Sequence, residues 1–106
     1  MTSTRTLLCA ALLAATSAAA SASDTFTNPV IRRSAPDPTV IRADDGHFYL
    51  YSTEDTPNTP IYRSDNLVDW TLIGTAFSDT SRPSWNPKGG IWAPDINKIG
   101  DKYVLY

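Results

Sequence analysis

The sequence predicts an all-β chain, and three observations predict it. Short runs of β-branched and aromatic residues alternate with turn-forming residues. Beyond the first twenty or so positions, no segment shows the 3.6-residue apolar period of a helix. A tripeptide followed by an aromatic strand occurs twice. Ala35-Pro36-Asp37 returns as Ala93-Pro94-Asp95, and Gly46 with Phe48-Tyr49-Leu50-Tyr51 returns as Gly100 with Tyr103-Val104-Leu105-Tyr106. The interval of about 55–58 residues suits a four-stranded unit plus a long connection.

The elements follow in order. Arg5, the apolar run Leu7–Ala15 and the small residues Ala18–Ala22 have the three-part layout of a secretory signal peptide. Residues 1–22 are therefore read as a signal peptide, cleaved after Ala20 or Ala22, and the product as secreted or periplasmic. The apolar run is too short to span a bilayer. Cys9, the only cysteine, sits too early and behind Leu8, which does not fit a lipoprotein site. Cleavage leaves no cysteine, hence no disulfide, thiolate nucleophile or cysteine metal ligand.

Residues 23–106 then form the folded part. After an irregular leader to Arg33, Thr39-Val40-Ile41 is a β-branched strand. Asp44-Asp45-Gly46 is a turn, and His47–Tyr51 an alternating aromatic strand, which together make a hairpin. Ile61-Tyr62-Arg63 is a third strand, Ser64-Asp65-Asn66 a turn, and Val68–Ile73 a fourth strand. Four consecutive antiparallel strands with tight turns compose one blade of a β-propeller. Ser78–Gly90 is a loop rich in Pro, Ser, Asn and Gly that carries Trp85, and loops of that length are usually functional or disordered. The sequence supplies about one and a half blades. It is therefore expected to be an incomplete propeller, with an apolar edge at Tyr103–Tyr106 that folds poorly alone.

Composition narrows the chemistry. Without Arg5, eight basic residues face eleven acidic ones, a balance that disfavours a nucleic-acid partner. The single histidine, His47, reads as a strand residue facing water. No His/Cys/carboxylate cluster has the spacing of a zinc site. Gly-rich phosphate loops and Ser or Cys nucleophile motifs are absent. What remains is carboxylates and aromatics, the equipment of glycoside hydrolysis.

Asp37 stands between Pro36 and Pro38, which are expected to hold it extended at the mouth of the first, innermost strand. On local sequence alone, a carboxylate aimed at the propeller axis and one that merely caps a turn are equally good readings. Asp95 repeats the setting, and Trp92 stands just ahead of it.

The stretches Pro36-Asp37-Pro38-Thr39-Val40, Asp45-Gly46-His47-Phe48-Tyr49-Leu50, Ile61–Trp70 and Gly90-Ile91-Trp92-Ala93-Pro94-Asp95-Ile96, in that order, resemble the start of glycoside hydrolase family 43. The resemblance implies a five-bladed β-propeller. It also implies an inverting glycosidase for pentose-containing plant polysaccharides such as arabinan and arabinoxylan, either an arabinan endo-hydrolase or an α-L-arabinofuranosidase/β-xylosidase. It makes Asp37 the general base, and it places the general acid and the Asp that tunes it beyond Tyr106, so that this chain is inactive alone. Asp95 becomes a channel-facing residue that orients its blade or holds a sugar hydroxyl, and Trp92 a wall of the sugar pocket. Trp70 becomes a blade-core tryptophan, and Glu54, the only glutamate, a rim or loop residue rather than the acid. No cofactor is implied, although a complete propeller has room for a channel-centre calcium. The partner is a polysaccharide or oligosaccharide, with no nucleic acid and no membrane after signal cleavage. A fructan-active hydrolase fits less well, because Asp37 lies in Pro-Asp-Pro-Thr-Val. A carbohydrate-binding or catalytically incomplete propeller is the alternative.

Overall fold

The computed structural model describes residues 25–85 and 90–106. The expected signal peptide, residues 1–22, lies outside them. The described residues contain six strands and no helix: β1 (Thr39–Arg42), β2 (Phe48–Tyr51), β3 (Pro60–Ser64), β4 (Thr71–Thr75), β5 (Ile96–Ile99) and β6 (Lys102–Leu105). Among them no helix is long and apolar enough to cross a membrane.

Strands β1 to β4 form one antiparallel sheet in chain order, and β5 and β6 form a separate hairpin. The β1–β2 turn forms because Gly46 takes φ +85°, a left-handed conformation open to glycine without a Cβ penalty. Its N–H donates to Ala43 O at 3.0 Å, and Ala43 N–H donates to His47 O at 2.9 Å. The Asp45 carboxylate stiffens the turn, accepting from His47 N–H at 3.0 Å and Tyr49 OH at 2.7 Å. Gly100, at φ +63°, turns β5 into β6 the same way. The sequence repeat is thus a repeat of hairpins.

The fourth strand differs from expectation. It starts at Thr71, not Val68, because a side chain takes over the amides that a strand would offer its neighbour. Asn66 Oδ1 accepts from Val68 N–H at 2.9 Å and Asp69 N–H at 2.8 Å. Ser64 Oγ accepts from Asn66 and Leu67 N–H. Such local bonds from Ser and Asn compete with the ladder. Trp70 is half-buried and donates its indole N–H to Leu67 O at 3.0 Å, so it closes this turn.

The apolar core is small. Leu50 of β2 and Tyr62 of β3 face each other in register and are 6% and 3% exposed, and Ile96 of β5 is 7% exposed. Thr39 joins the two sheets. Its hydroxyl accepts from Ile96 N–H at 3.2 Å and lies 3.5 Å from an Asp95 carboxylate oxygen. Exposed charge adds a second link, since Lys98 Nζ of β5 reaches both oxygens of Asp44 at 2.5 and 2.6 Å. Asp44 N–H also donates to Tyr103 OH at 2.8 Å. Lys98, followed by the Tyr103 hydroxyl, holds the Asp44 carboxyl below the usual carboxylate range.

His47 does not simply face water. Its Nδ1 lies 2.6 Å from the Asp65 carboxylate, and the Arg63 guanidinium approaches Nε2 at 2.9 Å. The imidazole, one residue ahead of β2, is therefore a bridge to the end of β3.

Candidate functional site

The first sequence candidate, Asp37, lies two residues ahead of β1 and is exposed, as its place at a strand mouth predicts. Its backbone is another matter. The flanking prolines were expected to keep it extended, but its φ is +49°. Two bonds from Thr53, just past β2, account for this. Thr53 N–H donates to Pro36 O at 2.9 Å, and Thr53 Oγ1 donates to Asp37 Oδ2 at 2.7 Å. Asp is among the few residues besides glycine that visit the left-handed region routinely. A non-glycine residue held there is an outlier of the kind that gathers at functional sites.

Asp95 repeats the tripeptide but not this conformation. It extends the β5–β6 ladder, donating its N–H to Tyr106 O at 3.0 Å and accepting from Tyr106 N–H at 2.9 Å. Its side chain is exposed and accepts from Asn97 Nδ2 at 3.0 Å. Through Thr39 it is tied to the strand that Asp37 precedes. Trp92 precedes β5, joined to Ala93 by a cis peptide bond, and is 78% exposed. Trp85 is 80% exposed. Both tryptophans line a cavity of about 230 Å³ with Ile91, Pro94, Leu105 and Tyr106. Neither Asp37 nor Asp95 lines it. A polar cavity of about 310 Å³ lies elsewhere, between Arg63, Asp65, Asn66 and Asp69 at the β3–β4 turn, where none of the candidate residues is found.

Glu54 is the residue that sequence reasoning undervalued. Its side chain is 6% exposed and paired with Arg82, which is itself 15% exposed. One oxygen accepts from Arg82 and from Asn58 N–H, the other from Arg82 at 3.1 Å and from Ile91 N–H at 2.7 Å. Glu54 N–H donates to Ile91 O at 3.1 Å. Arg82 first, then the Asn58 and Ile91 amides, outweigh burial and hold the carboxyl at about 2 against an ordinary 4.5. Asn58 belongs to the same network, accepting from Arg82 at 3.0 Å and donating to Asp79 at 2.8 Å. The available signal was slight: a lone glutamate beside a strand end, and an arginine in the long loop 28 residues on.

The structure thus brings Asp37, Thr53, Glu54, Ile91 and Trp92 into one connected set, with Asp95 joined to it through Thr39. Among the described residues no three of His, Cys, Asp and Glu converge as a metal site.

The family model for glycosyl hydrolases family 43 matches residues 26–106. A non-reducing end α-L-arabinofuranosidase of Bacteroides ovatus is 41% identical over 79% of this chain and 17% of its own length. A β-xylosidase of Bacillus subtilis is 35% identical over 76% of the chain and 16% of its own length. A probable arabinan endo-1,5-α-L-arabinosidase A of Aspergillus flavus is 33% identical over 66% and 22%. The chain therefore spans less than a quarter of the length of these relatives. No solved structure matches it significantly.

Proposed function

From the premise that this chain belongs to glycosyl hydrolase family 43, we propose that it carries the base-bearing part of an inverting glycosidase acting on pentose-containing polysaccharides such as arabinan and arabinoxylan. The relatives' names, which cover arabinofuranosidase, β-xylosidase and arabinan endo-hydrolase, support that substrate class. The two hairpins with their shared Ala-Pro-Asp lead support a five-bladed propeller of which these residues form about one and a half blades. The N-terminal layout supports export with removal of residues 1–22, and hence a secreted or periplasmic protein.

One observation carries the mechanism. Asp37 presents an exposed carboxylate from a left-handed backbone position, and a single Thr53 hydroxyl holds one of its oxygens. The other oxygen has no partner among the described residues and is placed to accept a proton from a water, which attacks the anomeric carbon on the face opposite the leaving group. An inverting pair leaves room for that water, with the two carboxyl groups about 6.5–9.5 Å apart. Trp92 offers an apolar ring to the C–H face of a sugar, and Asp95 accepts from a sugar hydroxyl. The proton for the leaving oxygen does not come from Glu54. That carboxyl is buried against Arg82 and stays ionised down to about pH 2. The acid and the Asp that tunes it are supplied by other residues of the complete propeller, so the chain alone hydrolyses neither arabinan nor xylan. The second reading is a propeller segment that binds carbohydrate without cleaving it.

A chimera tests both. Residues 25–106 replace the matching segment of the Bacteroides ovatus arabinofuranosidase, and turnover of an aryl α-L-arabinofuranoside is measured. Asp37→Asn is expected to lower kcat by about 10²–10⁴-fold, the usual contribution of a general base, with KM little changed. Near-normal turnover of Asp37→Asn would overturn the assignment. A chimera that is folded and binds sugar but has no activity even with Asp37 intact would favour the binding reading.

A further inference from the structure

We propose that Glu54 is a positioning residue that locks the Ile91–Trp92 segment to the strand end holding Asp37, so that the sugar-facing ring and the base move as one unit. This rests on the roles given above to Asp37 and Trp92.

The argument starts from what holds Trp92. Its ring is 78% exposed, so packing cannot fix it. Its place must come from the backbone on either side. On the C-terminal side, Pro94 is buried and Asp95 is locked into the ladder with Tyr106. On the N-terminal side the anchor is Ile91, and both polar backbone groups of Ile91 go to Glu54. The carbonyl accepts from Glu54 N–H at 3.1 Å, and the N–H donates to Glu54 Oε2 at 2.7 Å. Half of that anchor is a side-chain bond, so it depends on the identity of residue 54.

The other half of the lock is the neighbouring residue. Thr53 holds the base from two directions, through Pro36 O and the Asp37 carboxylate. One dipeptide therefore grips the base with its first residue and the segment before the tryptophan with its second. A flexible glutamate would transmit nothing between them. Arg82 and Asn58 N–H remove that freedom by filling the remaining sites of the carboxylate. A carboxylate ionised and multiply bonded is a stronger and better-aimed acceptor for Ile91 N–H than a neutral amide would be.

A purely structural role for the Glu54–Arg82 pair predicts something else: activity falls only as far as the folded fraction falls. The test separates the two in the same chimera, assayed well below its melting midpoint. Glu54→Gln keeps the length and one acceptor oxygen but loses the charge. It is expected to raise KM about tenfold, with a smaller fall in kcat. Thr53→Val is expected to lower kcat and leave KM unmoved. Asp79→Ala, which removes a peripheral bond to Asn58, is the control for stability alone, with kinetics unchanged at that temperature. In the full chain labelled with ¹⁵N, Glu54→Gln is expected to speed hydrogen exchange at Ile91 N–H and shift the Trp92 indole signal, while β1–β4 amides stay in place. The proposal is overturned if Glu54→Gln matches the parent chimera below its melting midpoint, or if its losses track melting as those of Asp79→Ala do. Failure of the underlying reading looks different, because it appears as turnover in Asp37→Asn or an unchanged KM in Trp92→Ala, whatever Glu54→Gln does.

Discussion

The hydroxyl of Tyr62 is buried in the small core with no hydrogen-bond partner among the described residues, in a residue only 3% exposed. Removing it by Tyr62→Phe deletes an unsatisfied polar group and leaves the ring, its contacts and its register with Leu50 intact. An unpaired buried hydroxyl costs about 1–3 kcal/mol by protein mutational data. The Phe variant is therefore expected to be more stable by about 1 kcal/mol. In a small domain that raises the melting midpoint by about 4–8 °C. It also raises the folded-to-unfolded ratio about fivefold, which is easiest to see in a chain of marginal stability. The core of Leu50, Tyr62 and Ile96 makes this chain such a case. The assay is circular dichroism on the full chain during heating, with hydrogen exchange at Leu50 N–H as a local probe. A lower midpoint in the Phe variant would refute the reasoning, because it would mean the hydroxyl has a partner in solution that its burial conceals.

The other expectations concern the same core and the buried clasp. Leu50→Ala is expected to cost about 2–5 kcal/mol and to abolish the cooperative melt of the full chain, read by the same ellipticity signal. Glu54, with its carboxyl held at about 2 rather than 4.5, adds stability that is fully present above about pH 4.5 and disappears as pH falls toward 2. Asp44 and Asp45, both also held below the ordinary carboxylate range, act in the same direction at the surface. Acid titration of Glu54→Gln is therefore expected to show a shallower, not absent, loss of stability across that window. An unchanged acid limb would remove Glu54 from the account.

Much of the fold was legible because its causes are local. β-branched and aromatic runs at β1, β2 and β6, and glycines at the two hairpin turns, state their structure within a few residues. The start of β4 was not legible from Val68-Asp69-Trp70, which reads as strand, because the Asn66 side chain captures the amides of Val68 and Asp69. The conformation of Asp37 has a non-local cause. The prolines on either side argue for an extended chain, and the bonds that decide otherwise come from Thr53, sixteen positions away. The sequence reads Glu54 as a rim or loop residue, but its clasp on Arg82 and Ile91 joins positions 28 and 37 residues apart, which no local pattern encodes. His47 shows the same limit, since its bridge to Asp65 and Arg63 exists only once β2 and β3 are paired.

The left-handed backbone at Asp37 also shapes how this position can evolve. Glycine, asparagine and aspartate are the residues that tolerate such a conformation, whereas alanine there costs about 1–2 kcal/mol in strain. An aspartate codon reaches both asparagine and glycine by a single base change. Descendants of this chain that lack the carboxylate are therefore one mutation away and carry little folding penalty, so stability alone gives it no protection. Engineering faces the mirror image. An alanine scan at this position would merge the removal of the carboxylate with a conformational loss, whereas the asparagine variant separates them.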